Sequence, residues 1–184
     1  MTKLKIIKYP DPFLKQKCLP VTSYDKELKI FAEDMLKIMY ESEGIGLSAI
    51  QVGVLKRVIV IDISEELKKP LILVNPVITP SSSNFLDCKE GCLSFPGIYE
   101  SVRRNEEIAV DYNSIDGKKL SMKATGLLSI CIQHEVDHLE GVVFLDRLSG
   151  LKRNRAEKKF LKNLNKWKII KFILRDQQLF PWKF

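Results

Sequence analysis

The segment that runs from Thr125 or Gly126 to Leu139 limits most strongly how this chain can fold. It is apolar with helical periodicity, and it contains the pattern His134-Glu135-Val136-Asp137-His138. One helical turn separates the two histidines, so both imidazoles project from the same face and can bind one metal ion. Apolar residues precede the histidines on or beside that face, which predicts that both rings point into the interior. The sequence therefore predicts a buried metal-binding helix, ended by Gly141, around which the other elements pack.

These two histidines are the only ones in the chain, so a further metal ligand must be a cysteine or a carboxylate. Glu135 is placed to reach a metal-bound water without binding the metal itself. Upstream, the segment Glu90-Gly91-Cys92-Leu93-Ser94 offers a thiolate, and Cys88 lies four residues before that cysteine. With Cys92 alone the site would be open and catalytic, whereas both cysteines together would make a closed structural zinc site. The residues alone leave both arrangements open.

A third segment, Gly44-Ile45-Gly46-Leu47-Ser48-Ala49-Ile50-Gln51, combines two glycines with small residues and ends in a glutamine. This pattern predicts a loop that lines a cleft, with the Gln51 amide as a hydrogen-bond donor. A helix end that continues into a strand is the alternative.

The remaining periodicities predict one more helix in the body of the chain and several short strands. Apolar residues recur at helical spacing between Asp25 and Glu41. The predicted strands are two β-branched runs and two segments that flank the turn Asp116-Gly117, namely Arg57–Ile63, Leu71–Ile78, Glu107–Tyr112 and Lys118–Lys123. The predicted fold class is α+β, with short antiparallel strands packed around the metal-binding helix and a basic helix at the C-terminal end.

The net charge of the chain changes sign at about residue 150. Residues 1–150 carry a net charge of −2 and residues 151–184 carry +9, so the formal +7 of the chain arises in the tail. We predict a domain over residues 1–150 and a basic extension over residues 151–184, helical from about Leu151 to Trp167. The run KIIKFIL that follows fits a helix or a strand. Such a tail suits a polyanion or an acidic membrane surface, although a solvated helix without a partner has the same pattern.

Composition excludes some classes of protein. No run approaches the ~18 apolar residues of a membrane-spanning helix. The N-terminus has neither the apolar core of a secretory signal nor the arginine and serine content of a transit peptide. Four cysteines in such a chain predict a reducing compartment, and we expect the cytoplasm.

The three segments together resemble the peptide deformylase family. Its signature motifs are a G-x-G-L-A-A-x-Q loop, an E-G-C-L-S loop and a Q-H-E-x-D-H-L helix, which correspond to Gly44–Gln51, Glu90–Ser94 and Gln133–Leu139. The last two match fully, and the first has Ser48 where alanine is usual. The resemblance covers about residues 4–150 in the family's order and spacing.

This resemblance implies that residues 1–150 are a metal-dependent catalytic domain. The implied reaction is hydrolysis of the N-formyl group of the initiator N-formylmethionine in newly made polypeptides, with release of formate. Cys92, His134 and His138 are the implied metal ligands, Glu135 the base and proton shuttle, and Gln51 and the Leu93 N–H the donors to the formyl oxygen. Two imidazoles and a thiolate suit zinc by softness. The resemblance instead implies Fe2+ in the cell, with Zn2+, Ni2+ or Co2+ able to occupy a purified sample.

The family's substrate-binding positions map onto a further set of residues. They are Ile45, Gly46, Cys88, Glu90, Gly91, Leu127, Ile130 and Cys131. Cys88 then belongs to the wall of the methionine pocket, which argues against the closed zinc site. Glu90 and Gln133 are implied to hold Gln51 or a metal ligand, and Tyr99 stands where some relatives carry arginine.

The expected partners are N-formylmethionyl nascent peptides and, through the basic extension, the ribosome; no DNA or membrane partner is expected. Because none of the three motifs lies in the extension, catalysis should not require it. Two other classes are open. A zinc metallopeptidase shares the HExxH pattern, but this chain has no third histidine to complete such a site. A non-catalytic, zinc-stabilised RNA-binding protein would use the basic extension and would need neither Glu135 nor Gln51.

Overall fold

The computed structural model describes residues 4–66 and 69–177, and the side chains of the last helix as far as Leu164. Its helices are α1 (Lys26–Glu41), α2 (Gly126–Leu139) and α3 (Gly150–Gln177). Its strands are β1 (Gly46–Ser48), β2 (Val58–Ile61), β3 (Leu71–Pro80), β4 (Phe85–Gly91), β5 (Tyr99–Asn105), β6 (Glu107–Asn113) and β7 (Lys119–Thr125). None of the helices in this part of the chain combines the length and apolar character needed to cross a membrane.

Five strands form one antiparallel sheet in the order β1-β2-β3-β6-β7, and β4 and β5 form a separate antiparallel pair. All four residues of β2 are buried, because both faces of the strand are covered. Ile59 and Ile61 share a core cluster with residues of α2. Val58 and Val60 face the other way, into a cluster with residues of α1. The α+β class and the central position of α2 are as predicted.

Helix α2 is a buried helix, as predicted. Every residue from Ser129 to Leu139 is buried, including the polar ones. Gly141 follows the helix with φ of +73°, and a Cβ there would lie 2.4 Å from the Lys15 carbonyl oxygen. Only glycine fits both the backbone angle and this close approach, so Gly141 ends the helix where the sequence places the end.

Three strands differ from the sequence-based expectation. The sequence does not predict β4 and β5, and β1 lies within the segment for which a loop is predicted, where the structure has the alternative, a helix end that continues into a strand. Helix α3 continues beyond Trp167 through the whole KIIKFIL run, so this run is helical rather than extended. The end of the chain, 178–184, lies outside the described residues.

The first turns of α3 belong to the core. Ala156 and Phe160 are fully buried in a cluster with Phe95 and Phe144. The division of the chain at residue 150 stays a prediction, but this helix packs on the body through Ala156, Phe160 and Leu164.

Candidate active site

Helix α2 and the end of β4 bring three potential metal ligands together. His134 and His138 lie one turn apart with ring centroids separated by 5.0 Å. Cys92 directly follows β4, and its Sγ lies 3.2 Å from His138 Nε2. One ligand atom from each of Cys92, His134 and His138 lies within 4.8 Å of the other two. Among residues 4–66 and 69–177, no fourth cysteine, histidine or acidic side chain joins this group. The closed Cys2His2 arrangement is therefore not formed.

The two histidine rings each present one nitrogen to this group. His134 Nδ1 lies 2.8 Å from Glu90 Oε2, which leaves Nε2 of that ring for a ligand. His138 turns its Nε2 toward Cys92, while its buried Nδ1 has no hydrogen-bond partner among the described residues. Burial lowers the pKa of His138 well below its ordinary value. Its ring is therefore neutral, which is the form that binds a metal.

Glu135 is buried beside this group. Its Oε2 has no hydrogen-bond partner within the described part of the chain, and burial raises the pKa of the carboxyl group to about 7. Strand β1 passes directly over it, since a Cβ on Gly46 would lie 2.6 Å from Glu135 Oε1. A carboxylate with a pKa near neutral can both accept and return a proton.

The Gln51 amide is oriented from both ends. It lies in a 3-10 turn, Ala49–Val52, and its Oε1 accepts hydrogen bonds of 2.9 Å from the Ser48 N–H and hydroxyl. With the oxygen fixed, Nε2 points toward Cys92 Sγ at 3.4 Å and Ser94 Oγ at 3.2 Å. Ser48, the departure from the family motif, thus adds a hydroxyl to the groups that hold this amide.

A cavity of about 490 Å³ opens beside the three potential ligands. Leu93 lines it, and so do all eight residues that the resemblance implies for substrate binding, namely Ile45, Gly46, Cys88, Glu90, Gly91, Leu127, Ile130 and Cys131. Burial raises the pKa of the Cys131 thiol well above its ordinary value, so this cysteine stays protonated. The roles of these residues remain predictions, but the structure places them around one space.

The position of Gln133 differs from the expectation. Its amide hydrogen-bonds to the backbone of Asn105 and to Ser129, and it holds neither Gln51 nor a potential metal ligand. It ties α2 to the turn between β5 and β6 instead. Glu90, by contrast, does contact one of the three potential metal ligands, His134.

Several residues of the site were not identified from the sequence. Lys8 and Lys89 line the cavity, and the Lys8 ammonium group donates to the Leu93 carbonyl at 2.5 Å. Arg104 is buried between Glu90 and Asp137. Asp137, between the two histidines, was the one available sign that a buried cation would lie beside α2.

Comparison with known proteins gives one consistent result. The family model described as polypeptide deformylase matches residues 3–154. A peptide deformylase from Nitrosococcus oceani is 50% identical over 159 residues, which cover 86% of this chain and 95% of the relative. The peptide deformylase of Maricaulis maris is 48% identical over 160 residues, 86% of this chain and 92% of the relative.

Solved structures agree with these relatives. A crystal structure of a peptide deformylase from Legionella pneumophila superposes with a TM-score of 0.84 at 39% identity, covering 90% of this chain and 97% of that one. A peptide deformylase from Synechococcus elongatus in complex with actinonin has a TM-score of 0.81 at 42% identity, covering 86% and 88% of the two chains.

Proposed function

Because this chain belongs to the polypeptide deformylase family, and so is a hydrolase that removes the N-formyl group from newly made polypeptides, we propose that Cys92, His134 and His138 hold its metal ion. The observation that carries the proposal is the closeness of their ligand atoms, all within 4.8 Å of one another, with Cys92 and His134 lining the cavity. Three protein ligands leave a position open for water or substrate, as in catalytic metal sites.

A divalent ion held here supplies Lewis acidity and lowers the pKa of a bound water from ~15.7 toward ~7. The neutral His138 ring suits such an ion, and the contact of His134 Nδ1 with the Glu90 carboxylate leaves Nε2 of that ring for the ion. We propose Fe2+ as the ion in the cell, with Zn2+, Ni2+ and Co2+ as ions that the same donor set accepts in a purified sample.

Glu135 is the proposed base and proton shuttle. Its unpartnered carboxylate oxygen is free to take a proton from the attacking water and to hand it to the leaving amine nitrogen. Gln51 and the Leu93 backbone N–H are the proposed donors to the formyl oxygen, where negative charge develops. One such donor is typically worth ~3 kcal/mol of transition-state stabilisation.

The proposed place of the methionine side chain is the apolar part of the cavity. Leu127, Ile130 and Cys131 come from one side of α2, and Cys88 comes from β4. An unbranched thioether fits such an irregular apolar wall. Ile45, Gly46 and Gly91 would then pair with the substrate backbone in the manner of an added strand.

The direct test is formate release from an N-formylmethionyl dipeptide by the purified chain. We expect turnover that a chelator abolishes and that Fe2+ or Ni2+ restores. Release of an amino acid from an unformylated peptide instead would favour a metallopeptidase. Metal binding without either activity would favour a metal-stabilised RNA-binding protein.

The basic extension is the proposed contact with the ribosome. The described turns of α3 expose five basic side chains, while Ala156 and Phe160 are buried: Lys152, Arg155, Lys158, Lys159 and Lys162. Contacts between such side chains and RNA phosphates weaken steeply as salt rises. The four cysteines are free thiols, which fits the reducing cytoplasm as the proposed location.

Ribosome co-sedimentation over a salt series tests this contact. Lys158→Gln with Lys162→Gln should weaken binding and reduce its salt dependence, because two phosphate contacts are lost. Lys26→Gln with Lys37→Gln on exposed α1 positions removes the same charge elsewhere and should leave binding unchanged. Equal effects of the two pairs would mean that only net charge matters.

A further inference from the structure

An arginine lies inside the protein between β5 and α2. The side chain of Arg104 is 3% exposed, and it meets two carboxylates, those of Glu90 and Asp137. A buried guanidinium is costly unless its hydrogen-bonding groups are paired. Each of its three nitrogens has a carboxylate partner here, so the arginine is held rigidly.

At one end, Arg104 fixes the plane of the Glu90 carboxylate. Nε lies 2.7 Å from Oε1 and Nη2 lies 3.0 Å from Oε2, which is the two-pronged geometry that a guanidinium favours. The same Oε2 lies 2.8 Å from His134 Nδ1. The guanidinium therefore determines the direction from which the carboxylate meets the imidazole ring.

At the other end, Arg104 is attached to the helix that carries both histidines. Nη1 lies 2.5 Å from Asp137 Oδ2, and Asp137 also accepts from Arg147, with Nε at 2.9 Å. Asp137 lies three residues after His134 and one before His138. Arg104 thus joins the strand that leads to Cys92 to the helix that presents the two imidazoles.

We propose that Arg104, anchored by Asp137, is a positioning residue of the metal centre: it fixes the Glu90 carboxylate, which in turn fixes the ring of His134. The proposal rests on the ligand assignment made above. Groups that orient metal ligands in this way are commonly worth about 10- to 100-fold in metal affinity or activity. Arg104 does not line the cavity and is not one of the proposed ligands, so its effect should pass through Glu90.

The test uses Arg104→Lys, because lysine keeps the charge but cannot hold a carboxylate in a fixed plane. The matched control is Arg103→Lys on the same strand. Arg103 lies on the opposite, exposed face, with its guanidinium 4.8 Å from the centre of the Phe85 ring. The readouts are the rate of Zn2+ loss to a chelator, the visible spectrum of the Co2+ form, and kcat and KM.

We expect Arg104→Lys to lose Zn2+ about 10- to 100-fold faster and to shift the Co2+ spectrum, while Arg103→Lys matches the natural chain. In a Glu90→Gln background, Arg104→Lys should accelerate Zn2+ loss little further, because the carboxylate through which Arg104 acts on His134 is already absent. If Arg104→Lys does not fold, Asp137→Asn replaces it; it keeps the Arg104–Glu90 pair and should also accelerate Zn2+ loss.

Three results would overturn the proposal. The first is that folded Arg104→Lys has the same rate of Zn2+ loss and the same Co2+ spectrum as the natural chain. The same result in Asp137→Asn counts equally if that variant has to replace Arg104→Lys. The second is full additivity with Glu90→Gln, which would mean that the arginine acts on stability alone. The third is a natural chain that binds no ion, which overturns the ligand assignment first and this proposal with it.

Discussion

The hydroxyl group of Tyr9 donates a hydrogen bond of 3.0 Å to Glu157 Oε1, joining the N-terminal segment to helix α3 across 148 positions of the chain. The Tyr9 ring also stacks on Phe95, with centroids 4.6 Å apart, and meets Phe160 edge-on at 5.9 Å. The basic extension is thus attached to the body by an aromatic cluster next to the segment that carries Cys92.

Truncation should therefore have an effect that depends on where the chain is cut. Deleting residues 150–184 removes Phe160, and loss of a buried phenylalanine typically costs ~3–5 kcal/mol. Deleting residues 165–184 leaves this cluster intact and should preserve both stability and formate release. Urea unfolding of the two truncated chains measures the difference, and equal stability would contradict the packing of α3 described here.

Glu135→Gln should separate catalysis from metal binding. The amide keeps the shape of the side chain but cannot carry a proton, so turnover should fall ~10²- to 10⁴-fold with about one metal ion still bound per chain. Glu140→Gln, which alters an exposed carboxylate paired with Arg57, is the control and should change little. Loss of metal from Glu135→Gln would assign Glu135 a structural role.

The two neighbouring cysteines should behave differently. Cys92→Ala removes a proposed ligand, so the variant should lose its metal on dialysis and release no formate. Cys88→Ala changes only the wall of the cavity, so metal content should persist while KM for the methionyl substrate changes. Metal analysis of both dialysed variants checks this, and equal metal loss would restore the closed site as a candidate.

A methyl group at position 46 should disturb the site more than one at position 44. In Gly46→Ala the new carbon would lie 2.6 Å from Glu135 Oε1 and 2.8 Å from Cys131 Sγ. Displacing the carboxylate by even ~1 Å can cost ~10²-fold in rate. In Gly44→Ala it meets the flexible end of Leu93, at 2.7 Å, which can move aside, so the loss should be smaller. Equal losses of formate release would show that the contact between position 46 and Glu135 does not account for the effect.

Acid stability should depend in part on Asp146. Burial alone would raise the pKa of this carboxyl group, but Lys15, Arg153 and the Val143 N–H hold it below its ordinary value of 3.8. The unfolded chain then binds the proton first, so the stabilisation is complete above the unfolded pKa and is lost as the pH falls through the folded one.

Asp146→Asn should therefore lower the free energy of unfolding by about 1 kcal/mol at pH 7 and flatten its decline in acid. Asp116→Asn removes an exposed ion pair with Lys29 and should have a smaller effect. Thermal unfolding between pH 3 and pH 7 compares them; an unchanged acid decline in Asp146→Asn would contradict the assignment.

Local signals were sufficient for the elements that the sequence predicted well. The ends of α2 depend on Gly141 and on helical periodicity, and the hairpin of β6 and β7 depends on a turn in which Gly117 has φ of +83°. These signals act between residues close in the chain, so they can be read without knowing the fold. The three motifs identified the family in the same way.

The β4–β5 pair was missed although burial alternates along both strands, because the charged residues Glu90 and Arg104 occupy buried positions where the sequence pattern of a strand requires apolar residues. Whether Cys88 or Cys92 joins the histidines depends likewise on where β4 ends, and no local pattern encodes that. Both depend on how the β4–β5 pair meets α2, which lies far from β4 in the chain.

Arg103 and Arg104 show most directly what the sequence alone does not determine. They are identical neighbours, yet one side chain lies exposed over Phe85 and the other is buried between Glu90 and Asp137. Successive residues of a strand point to opposite faces, so their difference depends on which face of the pair meets α2. The sequence by itself determined the helix with its two histidines and the residues available as ligands. Only tertiary packing decided which arginine lies between Glu90 and Asp137, because burial of a charge requires partners that the fold brings from elsewhere.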